Sequence, residues 1–162
     1  MSERQKNEMS EGDGDLTKKQ DAEKLLQQGK TIQVYPSGYS MYPLLVPGRD
    51  QAVIAPVRFV RRGEVYLYRR DQDILVLHRL FRKTQEGLYF VGDNQTEVEG
   101  PLREDQLRGQ LVGIVRNGHE LSRRNVVYRG YCVVWLLLRP FRSKIAKAIH
   151  SMKLHLGGKG HA

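Results

Sequence analysis

Short apolar segments alternate with turn-forming residues through the middle of the chain, between residues 31 and 116. Each segment is bounded by Gly, Pro, Asp or Asn, which is typical of strands joined by turns. The pattern predicts six strands, at Thr31–Tyr35, Ala52–Ala55, Glu64–Tyr68, Ile74–Phe81, Leu88–Val91 and Leu111–Arg116. A mainly β fold of the sandwich or barrel type is therefore expected.

The two ends of the chain have a different character. Residues 1–20 are polar and charged, which predicts a disordered segment. Asp21–Gln28 is a candidate short helix with Gly29 at its C-terminal end. We therefore expect a β-rich domain over residues 21–118, followed by a basic and partly apolar segment over residues 119–162.

The net charge of +9 equals that of residues 121–162 alone. Residues 121–162 hold nine of the 27 Lys and Arg residues and none of the 18 Asp and Glu residues. Tyr131–Leu138 is apolar, and a basic amphipathic helix is predicted after Pro140. Residues 123–156 could therefore contact an anionic membrane surface, or the apolar run could pack on the domain. Basic and aromatic residues do not interleave, which argues against nucleic acid as the partner.

Several classes of protein are not supported by the sequence. The N-terminal residues lack the apolar region of a secretory signal, and no segment approaches the ~20 apolar residues that span a bilayer. A cytoplasmic or membrane-peripheral location is expected. Cys132 is the single cysteine, and there is neither an HExxH motif nor a phosphate-binding loop. No metal or cofactor is therefore expected, and the oligomeric state is left open.

Ser40 is the candidate nucleophile. It lies in the segment Gly38-Tyr39-Ser40-Met41-Tyr42-Pro43, directly after a predicted strand. A turn of this kind exposes a side chain on a fixed backbone, and nearby amides could stabilise an oxyanion by on the order of 3 kcal/mol per donor. A serine needs a base, however, and on its own it could equally be an ordinary turn residue.

His78 is the candidate base. Strand alternation places it on one face with Ile74, Val76 and Leu80, so we expect it to point inward and to be partly buried. Burial lowers the pKa of a histidine and a nearby carboxylate raises it. An unperturbed histidine titrates at about pH 6.5, which predicts that activity falls on acidification through roughly pH 6–7. A hydrogen-bonded core histidine is the alternative.

Four motifs in sequence order carry a family resemblance. They are GxSMxP at residues 38–43, RRGEVYLY at 61–68, LHRLF at 77–81 and GDN at 92–94. Together they resemble the signal peptidase I / LexA-type serine peptidase superfamily over roughly residues 31–116. Bacterial signal peptidase I and LexA-type proteins carry lysine at the base position, whereas endoplasmic-reticulum and archaeal signal peptidases carry histidine followed by arginine. His78-Arg79 is similar to the histidine branch.

The resemblance implies a β-rich catalytic domain with short terminal helices that acts as a serine endopeptidase. Ser40 and His78 would be catalytic, and Asp93 or Glu99 would orient His78, with Asp93 favoured because Asp is usual at the position of Glu99. Gly38, Tyr39 and Met41 would form the oxyanion and substrate-binding segment. The implied substrate is an extended peptide, such as a leader or signal segment, with small side chains near the cleaved bond.

Two alternatives to a signal-peptidase-like enzyme remain at this point. One is a LexA-like domain that cleaves itself, although about 30 polar residues before the domain cannot supply a helix-turn-helix. The other is a non-catalytic binding or regulatory module that keeps the fold. The presence of both Ser40 and His78 argues for the enzyme.

Overall fold

The computed structural model describes residues 21–70 and 74–138, and these residues form a mainly β domain, as the sequence predicts. Helix α1 occupies residues 21–27 and helix α2 occupies Val126–Leu138, while Glu104–Gln106 forms a single 3-10 turn. The strands are β1 (Ile32–Val34), β2 (Asp50–Ala55), β3 (Val65–Arg69), β4 (Leu75–Lys83), β5 (Leu88–Val91), β6 (Glu99–Leu102), β7 (Leu107–Arg116) and β8 (His119–Ser122).

All eight strands belong to one antiparallel sheet. Its order is β1-β2-β7-β3-β4-β5-β6, and β8 pairs with β7. Strand β7 is central, because it pairs with β2, β3 and β8. Strands β1 and β6 lie at opposite ends of this order, so each has an edge that no described strand covers.

The six predicted strands are all confirmed, and the structure adds β6 and β8. Strand β6 contains Gly100 and Pro101, two residues that disfavour strands. Proline is tolerated there because β6 is an edge strand, where a missing N–H donor costs no ladder hydrogen bond. Strand β8 is polar and follows a two-residue turn at Asn117 and Gly118, both with positive φ, which is typical of a tight hairpin.

Two buried clusters lie on opposite faces of the sheet. Alternation along β3 separates them, because Val65 and Leu67 enter the first cluster while Tyr66 and Tyr68 enter the second. The first cluster also takes up side chains from α1, from the Ser40 segment and from α2. Helix α1 ends as predicted at Gly29, whose φ of 81° is a conformation that glycine adopts readily.

Strand β8 and helix α2 follow residue 118, the domain boundary that the sequence predicts, and both contact the domain. Strand β8 is part of the sheet, and α2 buries Tyr128 and Trp135 against the domain. The apolar run Tyr131–Leu138 therefore packs on the domain with one of its faces. The predicted helix after Pro140 and the predicted disordered segment 1–20 lie outside the described residues. Neither helix in the described part of the chain is long and apolar enough to cross a bilayer.

Candidate active site

Ser40 lies in the segment that connects β1 to β2. It is half-buried and lines a cleft with a volume of about 520 Å³. The same cleft is lined by Gly38 and Met41, and its other walls come from β1, β3 and the start of β4, with Val34, Leu67, Leu75, Val76 and Leu77. The candidate nucleophile therefore faces a largely apolar cleft at the surface of the domain.

Buried Asp50 holds the segment that follows Ser40. Its carboxylate accepts a hydrogen bond from the backbone N–H of Val46 at 2.8 Å and pairs with Arg116 at 2.8 Å. Arg116 also donates to the carbonyl of Leu44. Burial would raise the pKa of Asp50, but its hydrogen bonds from Arg49 and Arg116 outweigh this and hold that pKa well below the usual value.

The oxyanion candidates occupy three different environments. Gly38 lines the cleft, Tyr39 is 61% exposed, and the side chain of Met41 is buried in the first cluster. The Met41 side chain therefore fixes the turn to the first buried cluster. Among the described residues, the backbone N–H groups of Ser40 and Met41 donate to no protein acceptor. Both therefore remain candidate donors to an oxygen atom of a bound ligand.

The GDN motif contacts the Ser40 turn directly. The backbone N–H of Asn94 donates to the carbonyl oxygen of Ser40 at 2.7 Å. A Cβ atom at Gly92 would lie 2.6 Å from that same oxygen, so only glycine allows this approach. Val91 pairs with Arg79, which places Gly92 next to His78 across the two strands. The motif thus brings the Ser40 turn to the strand that carries His78.

His78 is buried, as predicted, with 4% of its surface exposed. It lies on the face of β4 that packs against the second cluster, beside Tyr68. The register of β3 and β4 pairs His78 with Tyr66 and places Tyr68 two residues further along the same face. This confirms the inward orientation that strand alternation predicted.

Tyr68 connects His78 to Glu99. The Tyr68 hydroxyl donates to Glu99 Oε2 at 2.6 Å and lies 3.0 Å from His78 Nδ1. A hydroxyl has one hydrogen, so Tyr68 oxygen must accept a hydrogen bond from Nδ1–H while it donates to the carboxylate. In neutral His78 the proton is thus on Nδ1, and the lone pair on Nε2 is available to accept a proton.

Hydrogen bonds lower the pKa of Glu99, whereas burial lowers the pKa of His78. Burial would raise the pKa of Glu99, but hydrogen bonds from Arg70 and Tyr68 hold it below the usual value. Burial lowers the pKa of His78 to about 4, although the charge of Glu99 acts in the opposite direction. The pKa of His78 is thus lowered from the unperturbed value on which the expected acidic limit at pH 6–7 was based.

Asp93 has different partners. Its two carboxylate oxygens accept hydrogen bonds from Arg79 at 2.8 and 2.6 Å, and the Tyr131 hydroxyl donates to one of them. Trp135 Nε1 donates to the Asp93 backbone carbonyl. Asp93 influences His78 through its charge, but the acid that reaches the hydrogen-bond network of His78 is Glu99, at 3.9 Å from Nδ1.

The structure thus brings four of the predicted residues into one region and assigns them unequal surroundings. Ser40 contacts Gly92 and Asn94, the two neighbours of Asp93 in the GDN motif. His78 and Glu99 meet through Tyr68. No hydrogen bond joins the Ser40 and His78 side chains among the described residues. Sequence reasoning missed Tyr68 and Arg70, although the alternation of β3 puts Tyr68 on the face that His78 shares.

Nothing in the described ranges forms a ready metal site, because no three His, Cys, Asp or Glu side chains come together there. No protein-family model matches this chain, and no curated protein matches its sequence.

Proposed function

We propose that this protein is a serine endopeptidase of the signal-peptidase type, with Ser40 as nucleophile and His78 as general base. The observation that carries the proposal is the placement of His78, a buried imidazole whose Nδ1 lies 3.0 Å from the Tyr68 hydroxyl, which leaves Nε2 to accept a proton. The order and spacing of the GxSMxP, LHRLF and GDN motifs support the same assignment.

The proposed reaction is acyl transfer in two steps. Ser40 Oγ attacks the peptide carbonyl carbon while its proton moves to His78 Nε2, and the backbone N–H groups of Ser40 and Met41 donate to the oxyanion. The tetrahedral intermediate expels the amine, which takes the proton from His78. Water then attacks the acyl-enzyme with the same assistance. The attack requires Ser40 Oγ and His78 Nε2 to come within hydrogen-bond reach when a peptide is bound.

Tyr68 and Glu99 act as positioning residues in this scheme. When His78 accepts the proton it becomes a cation, and Nδ1–H then points at a tyrosine oxygen that is itself bound to a carboxylate. The negative charge of Glu99 at 3.9 Å favours the imidazolium. The chain Glu99–Tyr68–His78 would thus do what a directly bonded carboxylate does in a serine-histidine-aspartate triad.

An extended peptide fits the surroundings of Ser40. The cleft runs between the uncovered edge strand β1 and the first residues of β4, and β5 pairs with β4 only from Arg79 onward. Residues 75–78 of β4 therefore have no described partner strand on that side. Unpaired strand edges bind extended peptides through backbone hydrogen bonds, while the apolar wall at Leu75 and Leu77 would select apolar side chains.

The test is covalent labelling by a serine-directed fluorophosphonate, together with cleavage of a peptide library. Wild-type protein should be labelled and should cleave, and Ser40→Ala should do neither while keeping its melting temperature. Ser37→Ala is the matched control, because Ser37 lines the same cleft and has no proposed role. If Ser40→Ala cleaves as the wild type does, the proposal is wrong. If peptides bind the wild type but are neither cleaved nor acylate Ser40, the protein is a binding module.

A further inference from the structure

The outward face of helix α2 is unusual for a helix on the surface of a domain. Tyr128 and Trp135 point inward and are buried. The opposite face carries apolar side chains that are 46–82% exposed: Val126, Val127, Val133, Val134, Leu137 and Leu138. Helical spacing puts these residues and Gly130 on one stripe that contains no charged residue. A helix that faced water here would carry polar residues on this side.

An arginine-lined cleft lies on the flank of the same helix. Its volume is about 620 Å³, and it is lined by five arginines from three segments together with Val133 and Leu136 of α2. The arginines are Arg61, Arg62, Arg123, Arg124 and Arg129. Glu64 is the acid in this lining, and it pairs with Arg123 at 3.3 Å. The cleft therefore has an excess of positive charge beside the exposed apolar stripe.

The sequence extends this asymmetry beyond the described residues. From residue 121 to residue 162 there are nine basic residues and no acidic one. A partner for this surface must accept apolar side chains at its centre and must supply negative charge at its edge. A second copy of the chain does not supply this negative charge, because it would bring its own arginines to the contact.

We propose that α2 and the arginine-lined cleft form a docking surface for an anionic lipid bilayer. The apolar stripe would enter the boundary between headgroups and acyl chains, with the helix parallel to the membrane plane, and the arginines would hold lipid phosphates. The inward contacts of α2 with Asp93 and Arg79 set the orientation of the domain on that surface. The proposal does not depend on peptidase activity, since none of these surface residues belongs to the proposed catalytic network.

The experiment is co-sedimentation of the full chain with phosphatidylcholine vesicles that contain or lack about 30% phosphatidylserine. Binding is expected to the anionic vesicles, with little to the neutral ones. Each basic residue near an anionic surface contributes about 1 kcal/mol, so Arg124→Gln with Arg129→Gln should weaken binding about thirtyfold. The control pair Lys83→Gln with Arg103→Gln removes the same charge from exposed positions outside this surface and should have much less effect.

The apolar stripe is tested by Val133→Ser with Leu137→Ser, which should weaken binding at least about tenfold because two inserted side chains are lost. Ile74→Ser with Val98→Ser is the control, since both residues are exposed and lie outside α2. All variants should keep the wild-type melting temperature. Wild-type binding by the Val133/Leu137 variant would overturn the proposal.

Two further outcomes would also overturn it. The first is binding of inorganic phosphate at the arginines, detected by calorimetry, without binding to vesicles, which would make the cleft a site for a free anion. The second is a dimer in solution that the Val133/Leu137 variant disrupts, which would mean that a second copy covers the stripe.

Discussion

Two neighbours on strand β4 serve two polar networks of different kinds. His78 faces Tyr68 and, through it, the half-exposed Glu99. Arg79 faces the opposite side and pairs with Asp93, where both side chains are completely buried. Alternation along one strand thus separates a network built around a histidine from one built around a buried arginine.

The two networks differ in burial and in the number of elements that they connect, and this suits them to different roles. Burial would lower the pKa of Arg79, but its hydrogen bonds and charge pairing with Asp93 raise that pKa above the usual value, so Arg79 stays charged. Arg79 also donates to the Gly63 carbonyl and contacts Cys132, so the pair joins β4, the turn before β3, the GDN turn and α2. The Asp93 network is suited to holding the site together, and the Glu99 network is suited to tuning a base.

The largest expected effect comes from breaking the Asp93 network. Asp93→Ala leaves the Arg79 guanidinium buried without its partner, so unfolding free energy should fall by about 3–5 kcal/mol. Urea denaturation measures this. Glu99→Ala removes an acid whose partner Arg70 is partly exposed, and its cost should be about 1 kcal/mol or less. A stable but inactive Asp93→Ala protein, beside a normally active Glu99→Ala protein, would make Asp93 the acid that orients His78.

The second effect is loss of the base. His78→Gln should lower kcat/KM by about 10²- to 10⁴-fold against a peptide that the wild type cleaves. It should bind the same peptide with unchanged affinity, because His78 does not line the apolar cleft. Retention of activity within a factor of about three would exclude His78 as the base.

The same variant tests the burial of His78 through stability. The folded-state pKa is lowered to about 4, so between pH 4 and the unfolded value of about 6.5 the unfolded chain binds a proton that the folded chain does not. Wild-type stability should therefore fall on acidification through this window. From pH 7.5 to pH 5, His78→Gln should lose roughly 2 kcal/mol less than the wild type in urea denaturation. Equal losses would mean that His78 titrates normally.

The third effect separates hydrogen bonding by Tyr68 from its packing. Tyr68→Phe removes the oxygen that accepts from Nδ1–H and should lower kcat about 10- to 100-fold with little change in KM. Tyr66→Phe is the matched control, since Tyr66 lies on the same face of β3 and its hydroxyl bonds backbone groups of Phe59 and Arg61. If both variants lose activity equally, the Tyr68 hydroxyl has only a structural role.

The smallest effect is a shift of the pH profile. Wild-type kcat/KM should stay level on acidification and fall through about pH 4, where His78 becomes protonated. Glu99→Gln removes a negative charge that raises the pKa of His78, so its acidic limb should lie at lower pH. Circular dichroism at each pH controls for unfolding. A wild-type limb at pH 6–7 would show that the base titrates outside this buried environment.

Local pattern was sufficient for most of the fold. The six predicted strands form because β-branched and aromatic residues alternate between turn residues, and this signal is present in each segment by itself. The candidate nucleophile and base were also visible locally, Ser40 in its glycine- and proline-bounded turn and His78 on an apolar strand face. Strand β6 could not be predicted locally, because Gly100 and Pro101 disfavour a strand. Its pairing with β5 stabilises it.

The contacts between the site residues could not be predicted from the sequence either, because they too depend on pairing between distant segments. Tyr68 and Glu99 are 31 positions apart, and Asp93 and Trp135 are 42 apart, so each contact exists only after the sheet has closed around β4 and β5. Motif position favoured Asp93 over Glu99 as the acid for His78. The strand register and the position of edge strand β6 decide that Glu99 is the acid that reaches the network of His78. Hydrogen bonds require contact in space, and local propensity carries no information about distant partners.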